Sequence, residues 1–99
     1  MSSAGEDPPS RVLRQSEHVV SSRLGDAGVL VHLRSNQIFE LNATGVRVWE
    51  LIGEGHDVED IEQRLHAEFD VDHEQLRREV SELLNALCRQ GLLDDGSGD

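Results

Sequence analysis

Residues 37–51 read Gln37-Ile38-Phe39-Glu40-Leu41-Asn42-Ala43-Thr44-Gly45-Val46-Arg47-Val48-Trp49-Glu50-Leu51, and their hydrophobic period changes at one residue. Up to Leu41 the run is strand-like, with Ile38 on one face and Phe39 and Leu41 on the other. Past Asn42, Val46, Trp49 and Ile52 recur at helical spacing, and Val48 and Leu51 widen that stripe. Asn42 separates the two halves and is a good helix N-cap, because its short side chain can accept a backbone N–H of the first turn. A strand therefore runs straight into an amphipathic helix. Apolar groups on both strand faces lead us to expect that each face packs against something.

Two further strand candidates lie upstream. Val29–Leu33 is β-rich and bounded by Gly25-Asp26-Ala27-Gly28 and by Ser35-Asn36. The short Arg34-Ser35-Asn36 connection predicts a hairpin between Val29–Leu33 and Gln37–Leu41. Glu17–Leu24 is more polar and is the third candidate. Downstream, Gly53 and Gly55 end the first helix. Asp57 caps a second, with Ile61, Leu65 and Phe69 on its apolar side. Asp72 caps a third, with Gln75 at the capping-box position and a stripe of Leu76, Val80, Leu83, Leu84 and Leu87 that stops at Gly91. The fold class is α+β and winged-helix-like: a three-stranded antiparallel sheet followed by three α-helices. One domain over residues 12–93 is expected, between polar, disordered tails at 1–11 and 94–99.

Composition narrows the chemistry. The net charge is −11, and all nine basic residues are scattered arginines, only Arg77 and Arg78 being adjacent. Nucleic acid repels such a chain unless a basic patch intervenes. A helix-turn-helix reading of the last two helices places Arg77 and Arg78 on the recognition helix, but Glu74, Glu79 and Glu82 flank them. A winged-helix DNA-binding protein or a dimerising adaptor is the alternative function class. No histidine pair sits at i, i+4 on one helix, and Cys88 has no ligand-spaced partner, so no metal is expected. The carboxylates fall in caps, exposed faces and tails, where nothing perturbs them toward catalysis. No cofactor and no enzymatic activity are expected. A single cysteine and the lack of a signal peptide or spanning segment lead to the expectation of a cytoplasmic, membrane-independent protein.

What remains is the strand itself. If Val29–Leu33 is central, Gln37–Leu41 is a sheet edge, and an extended peptide can add to such an edge as a new strand. The expected peptide-binding residues are Gln37, Ile38, Phe39, Glu40 and Leu41 on the strand. On the third helix, a face through Arg77, Ser81, Leu84, Asn85 and Cys88 is expected to form the opposing wall. Proline at Phe39 is expected to remove a ladder donor and abolish binding.

The ordered set Phe39-Glu40-Leu41-Asn42-Ala43-Thr44-Gly45, Val48-Trp49-Glu50-Leu51, Val58-Glu59-Asp60-Ile61, Glu79-Val80 with Leu83, Leu84 and Leu87, and Arg89-Gln90-Gly91-Leu92-Leu93 resembles the PqqD-like domains, or RiPP recognition elements. The resemblance covers about two thirds of the chain. It departs from the family before Val80, where Glu79 stands in place of a frequent Asp. The resemblance implies a domain that holds the leader of a precursor peptide as an extra strand between the third strand and third helix. It also implies partner enzymes: a leader peptidase and cyclase in lasso peptide assembly, or a radical SAM enzyme in pyrroloquinoline quinone assembly. The wording of residues 40–51 is closer to the free-standing lasso type. A monomer or weak dimer is expected.

Overall fold

In a computed structural model, residues 12–95 are described. The order is β1 (Leu13–Gln15), β2 (Val19–Leu24), β3 (Ala27–His32), β4 (Gln37–Leu41), α1 (Ala43–Gly53), α2 (Val58–Glu68), α3 (His73–Arg89) and β5 (Leu93–Asp95). The expected β-β-β-α-α-α arrangement is present as β2-β3-β4 followed by three helices. The sheet is antiparallel with β3 in the centre, pairing Val20 with Val31 and Val31 with Ile38.

Both hairpins are tight. Gly25 takes the left-handed conformation (φ 65°) in the two-residue turn between β2 and β3, so β3 starts two residues earlier than expected. Asn36 (φ 61°) performs the same task before β4, and its N–H closes the loop on His32 O at 2.7 Å.

The three helix caps form as the sequence indicates. Asn42 Oδ1 accepts from Gly45 N at 2.9 Å, Asp57 Oδ1 from Asp60 N at 2.7 Å and Asp72 Oδ2 from Gln75 N at 3.2 Å. Gln75 does not complete a capping box; its side-chain amide donates to Glu79 instead. Gly53 is the last residue of α1 rather than a residue beyond it, and it answers to a close approach. A Cβ there would lie 2.7 Å from the Gln15 amide, which donates to Trp49 O at 2.8 Å.

A two-stranded sheet was not anticipated. Leu13–Gln15 pairs antiparallel with Leu93–Asp95, so the ordered chain extends past the expected boundary at Leu93 into Asp94 and Asp95. Residues 1–11 and 96–99 lie outside the described residues. Leu13, Leu92 and Leu93 are buried, and this second sheet closes the core formed by Leu30, Val48, Leu51, Ile61, Leu65, Val80 and Leu87. Each such side chain contributes about 1.5–3 kcal/mol on full burial.

Among the described residues only one face of the larger sheet is covered. Gly28, Leu30 and Leu41 are buried toward the helices, Gly28 packing so closely that a Cβ would lie 2.8 Å from Val46. On the outer face Val20 is 49% and Ile38 66% exposed. Packing on both faces, expected from the β4 pattern, is therefore absent among the described residues. Ile38 reports an uncovered face rather than a second layer.

Candidate functional site

The ladder phase of β4 decides what its outer edge offers. Val19 N is turned to Ser16 O, and Leu33 N donates to His18 O at 2.8 Å. Residues 18, 20, 22 and 24 of the first strand thus point their backbone groups at β3. It follows that His32, Leu30 and Gly28 bond toward β4, where their partners are Gln37, Phe39 and Leu41. Ile38 and Glu40 are left with N–H and C=O directed outward, and no partner for them occurs among the described residues. Proline at Phe39 would therefore break the β3–β4 ladder inside the sheet. The informative position is Ile38 or Glu40.

Beside this edge lies a cavity of about 310 Å³, open to solvent on one side. Phe39 of β4 forms one wall, and Asn42, Thr44, Gly45 and Val48 bring in the start of α1. Gly45 lets that start sit on β4, since a Cβ would meet Leu41 at 3.1 Å. The far wall is α3, through Glu79, Val80, Glu82, Leu83 and Ala86. The floor is apolar, while exposed Glu79 and Glu82 bring the acidity.

All five β4 residues expected at the site lie along this edge, Phe39 directly on the cavity. The α3 residues do not join them. Arg77 leans toward Glu62 of α2, with nitrogen and oxygen 3.8 Å apart, Leu84 is buried in the core and Cys88 packs against that core. Ser81 and Asn85 are exposed and do not line the cavity. The cavity wall is the opposite flank, displaced by nearly half a turn. Helical periodicity identifies the buried stripe Leu76-Val80-Leu87 but not which side of it faces β4. That depends on how α3 crosses the sheet, and α3 crosses while packed on α2 and β5.

Electrostatics concentrates elsewhere. Arg47 holds Glu68 through two hydrogen bonds of 2.9 and 3.0 Å and also reaches Glu50 at 3.2 Å; Arg23 reaches Glu50 at 2.7 Å. Hydrogen bonding to Glu68 raises the Arg47 guanidinium above its ordinary range, and the same contact lowers the Glu68 carboxyl. Asp60 is lowered by its bond to Arg64 and then by His56. These groups brace α1, α2 and β2, and none lines the cavity. The His66 and His73 rings lie 4.9 Å apart where α2 meets α3. No group of three or more metal-ligating side chains occurs among the described residues. No helix there is long and apolar enough to cross a membrane.

Residues 27–93 match the family described as "Coenzyme PQQ synthesis protein D (PqqD)". No curated protein matches the chain. Among solved structures, TbiB1 in complex with the TbiA(beta) leader peptide is 38% identical, with a TM-score of 0.75, over 81% of this chain and 93% of its own. A lasso peptide synthetase B1 complexed with the leader peptide shares the fold, with a TM-score of 0.74 at 23% identity over 83% of this chain and 96% of its own.

Proposed function

We propose that this chain, which belongs to the PqqD family, is a non-catalytic protein that binds the leader segment of a ribosomally made precursor peptide. The leader adds to β4 as a fourth strand. Its main chain bonds Ile38 and Glu40, and alternate side chains enter the cavity between β4, the start of α1 and α3. The observation that carries this reading is the outward backbone of Ile38 and Glu40 beside an open, apolar-floored cavity. Either feature alone is common; together they give affinity from the backbone and selectivity from the socket. The relative at 38% identity, solved with a leader peptide, favours a lasso-type pathway. The partners are then a leader peptidase and a cyclase, to which this protein presents its cargo in the cytoplasm.

The test is a titration of the labelled protein with the leader segment of a candidate lasso-type precursor peptide. Binding at micromolar Kd or better is expected, about −8 kcal/mol. Backbone shifts should concentrate at Gln37–Leu41 and at Glu79, Glu82, Leu83 and Ala86. Shifts confined to Arg77, Ser81 and Asn85 would place the peptide on the wrong flank of α3 and overturn the geometry.

A further inference from the structure

We infer that the segment held at this site carries a large apolar side chain and, two residues from it, a lysine or arginine. The inference rests on the strand-addition reading and specifies its ligand. A residue paired with Phe39 across the β4 edge shares the face of Phe39, so its side chain enters the cavity. There it meets Phe39, Val48, Val80, Leu83 and Ala86, a setting for an apolar group. The next residue points to the outer face. The one after that returns to the inner face and reaches the α3 rim.

That rim is acidic, and no cation among the described residues lines it. Among the described residues Glu82 has no ion pair, and Glu79 accepts only from the neutral Gln75 amide, at 3.1 Å. Arg78, one turn before Glu82, is not bonded to it, and no arginine or histidine lines the cavity. Elsewhere several acidic side chains of the helices are matched, Glu50 and Glu68 by Arg47, Asp60 by Arg64 and Glu62 by Arg77, whereas Glu74 faces the positive end of α3 in its first turn. Two uncompensated carboxylates on the wall of an otherwise apolar groove, in a protein of net charge −11, favour a cationic side chain and repel an acidic one.

The experiment is selection of a phage-displayed random peptide library on the full-length chain, on Glu79→Gln/Glu82→Gln and on Ile38→Pro. Both glutamates are exposed, so their replacement leaves the fold intact. The wild type should enrich peptides with Lys or Arg two residues from an apolar residue; the double variant should keep the apolar residue and lose the basic one. For an enriched peptide made synthetically, Lys→Gln should weaken binding about three- to tenfold to the wild type and less than about twofold to the double variant. Enrichment without a basic position, or the same basic preference on the double variant, overturns the charge assignment while leaving strand addition standing. Equal enrichment on Ile38→Pro shows that the peptides do not use the β4 edge. That result removes the strand-addition reading, and the charge assignment with it.

Discussion

The larger sheet has two edges with the same backbone chemistry and different surroundings. On β2, Ser21 and Arg23 turn their backbone groups outward, while Val19 N donates to Ser16 O at 3.3 Å; on β4, Ile38 and Glu40 face outward. Beside β2 the inner face is closed by Arg23, whose guanidinium bonds Glu50 at 2.7 Å, and the hollow beneath it is about 80 Å³. Beside β4 the α3 wall stands back and leaves about 310 Å³. An uncovered edge is an aggregation hazard in either place. Among the described residues, β4 combines it with an apolar-floored socket for side chains. A ladder of backbone bonds yields little net free energy per bond, about 0.5–1.5 kcal/mol, because water competes for the same groups. The socket is what distinguishes a binding edge from an exposed one.

The sharpest way to break this comparison is a proline on each edge. Ile38→Pro removes an outward N–H and sets a ring where the guest strand must lie, in a position where an edge strand tolerates proline. Leader binding by calorimetry should fall at least about 100-fold, or about 2.8 kcal/mol, with the circular dichroism unchanged. Ser21→Pro makes the equivalent change on β2 and should alter affinity less than about twofold. Equal losses from the two would mean that proline acts through the fold and that the edges are not functionally distinct.

Next in size is the α3 wall. Leu83 lines the cavity and is half-buried, so Leu83→Ala should weaken the leader about tenfold through lost apolar contact. Ser81→Ala, on the flank first expected to face β4, should leave Kd unchanged. Reversal of this pair would return the binding face to Arg77, Ser81 and Leu84.

That reversal of flanks marks the limit of what the residues alone disclose. Asn42, Asp57 and Asp72 cap helices because a cap is a local bond, completed within three residues and visible in the chain. The edge position of β4 was legible for a related reason: a short hairpin fixes the neighbour of each strand. Leu13–Gln15 and Leu93–Asp95 were not legible, since three residues have no period and their pairing spans the entire domain. The ladder phase of Phe39 depends on the hairpin register, set by Gly25 and Asn36 together. The side of α3 that meets β4 depends on a crossing direction set by α2 and β5, and no stripe on α3 encodes it.

Acid should separate the two regions by a smaller effect. Asp60 and Glu68 are depressed in the folded protein relative to the unfolded chain, so the stability they supply is full above the ordinary carboxylate range, near pH 4–4.5. It is lost as pH falls through their folded values. Thermal melts should be level from neutrality to about pH 5 and decline below it by a few degrees. Amide exchange at low pH should rise first in α2 and the middle of α1, where Arg47 joins Glu50 and Glu68, and last in β3. Uniform loosening of the sheet and helices would show that the arginine network does not brace the β2 side.

The smallest effect tests whether Arg23 alone keeps a guest off the second edge. The Arg23–Glu50 contact is largely exposed, so Arg23→Ala should cost about 0.5 kcal/mol of stability or less. It also uncovers the inner face beside β2. The hollow there is a quarter of the size of the β4 cavity and is bordered by Gly28, Leu30, Val46 and Trp49, all packed in the core. Removing Arg23 takes away one rim of this hollow, which Ser21, Ser22 and Glu50 also border, but its depth is set by the core side chains beneath. Calorimetry of Arg23→Ala with the leader should therefore keep one peptide per chain at an unchanged Kd. A second equivalent of peptide would mean that the two edges differ by one side chain, and that the position of α3 is not what makes β4 the receptive one.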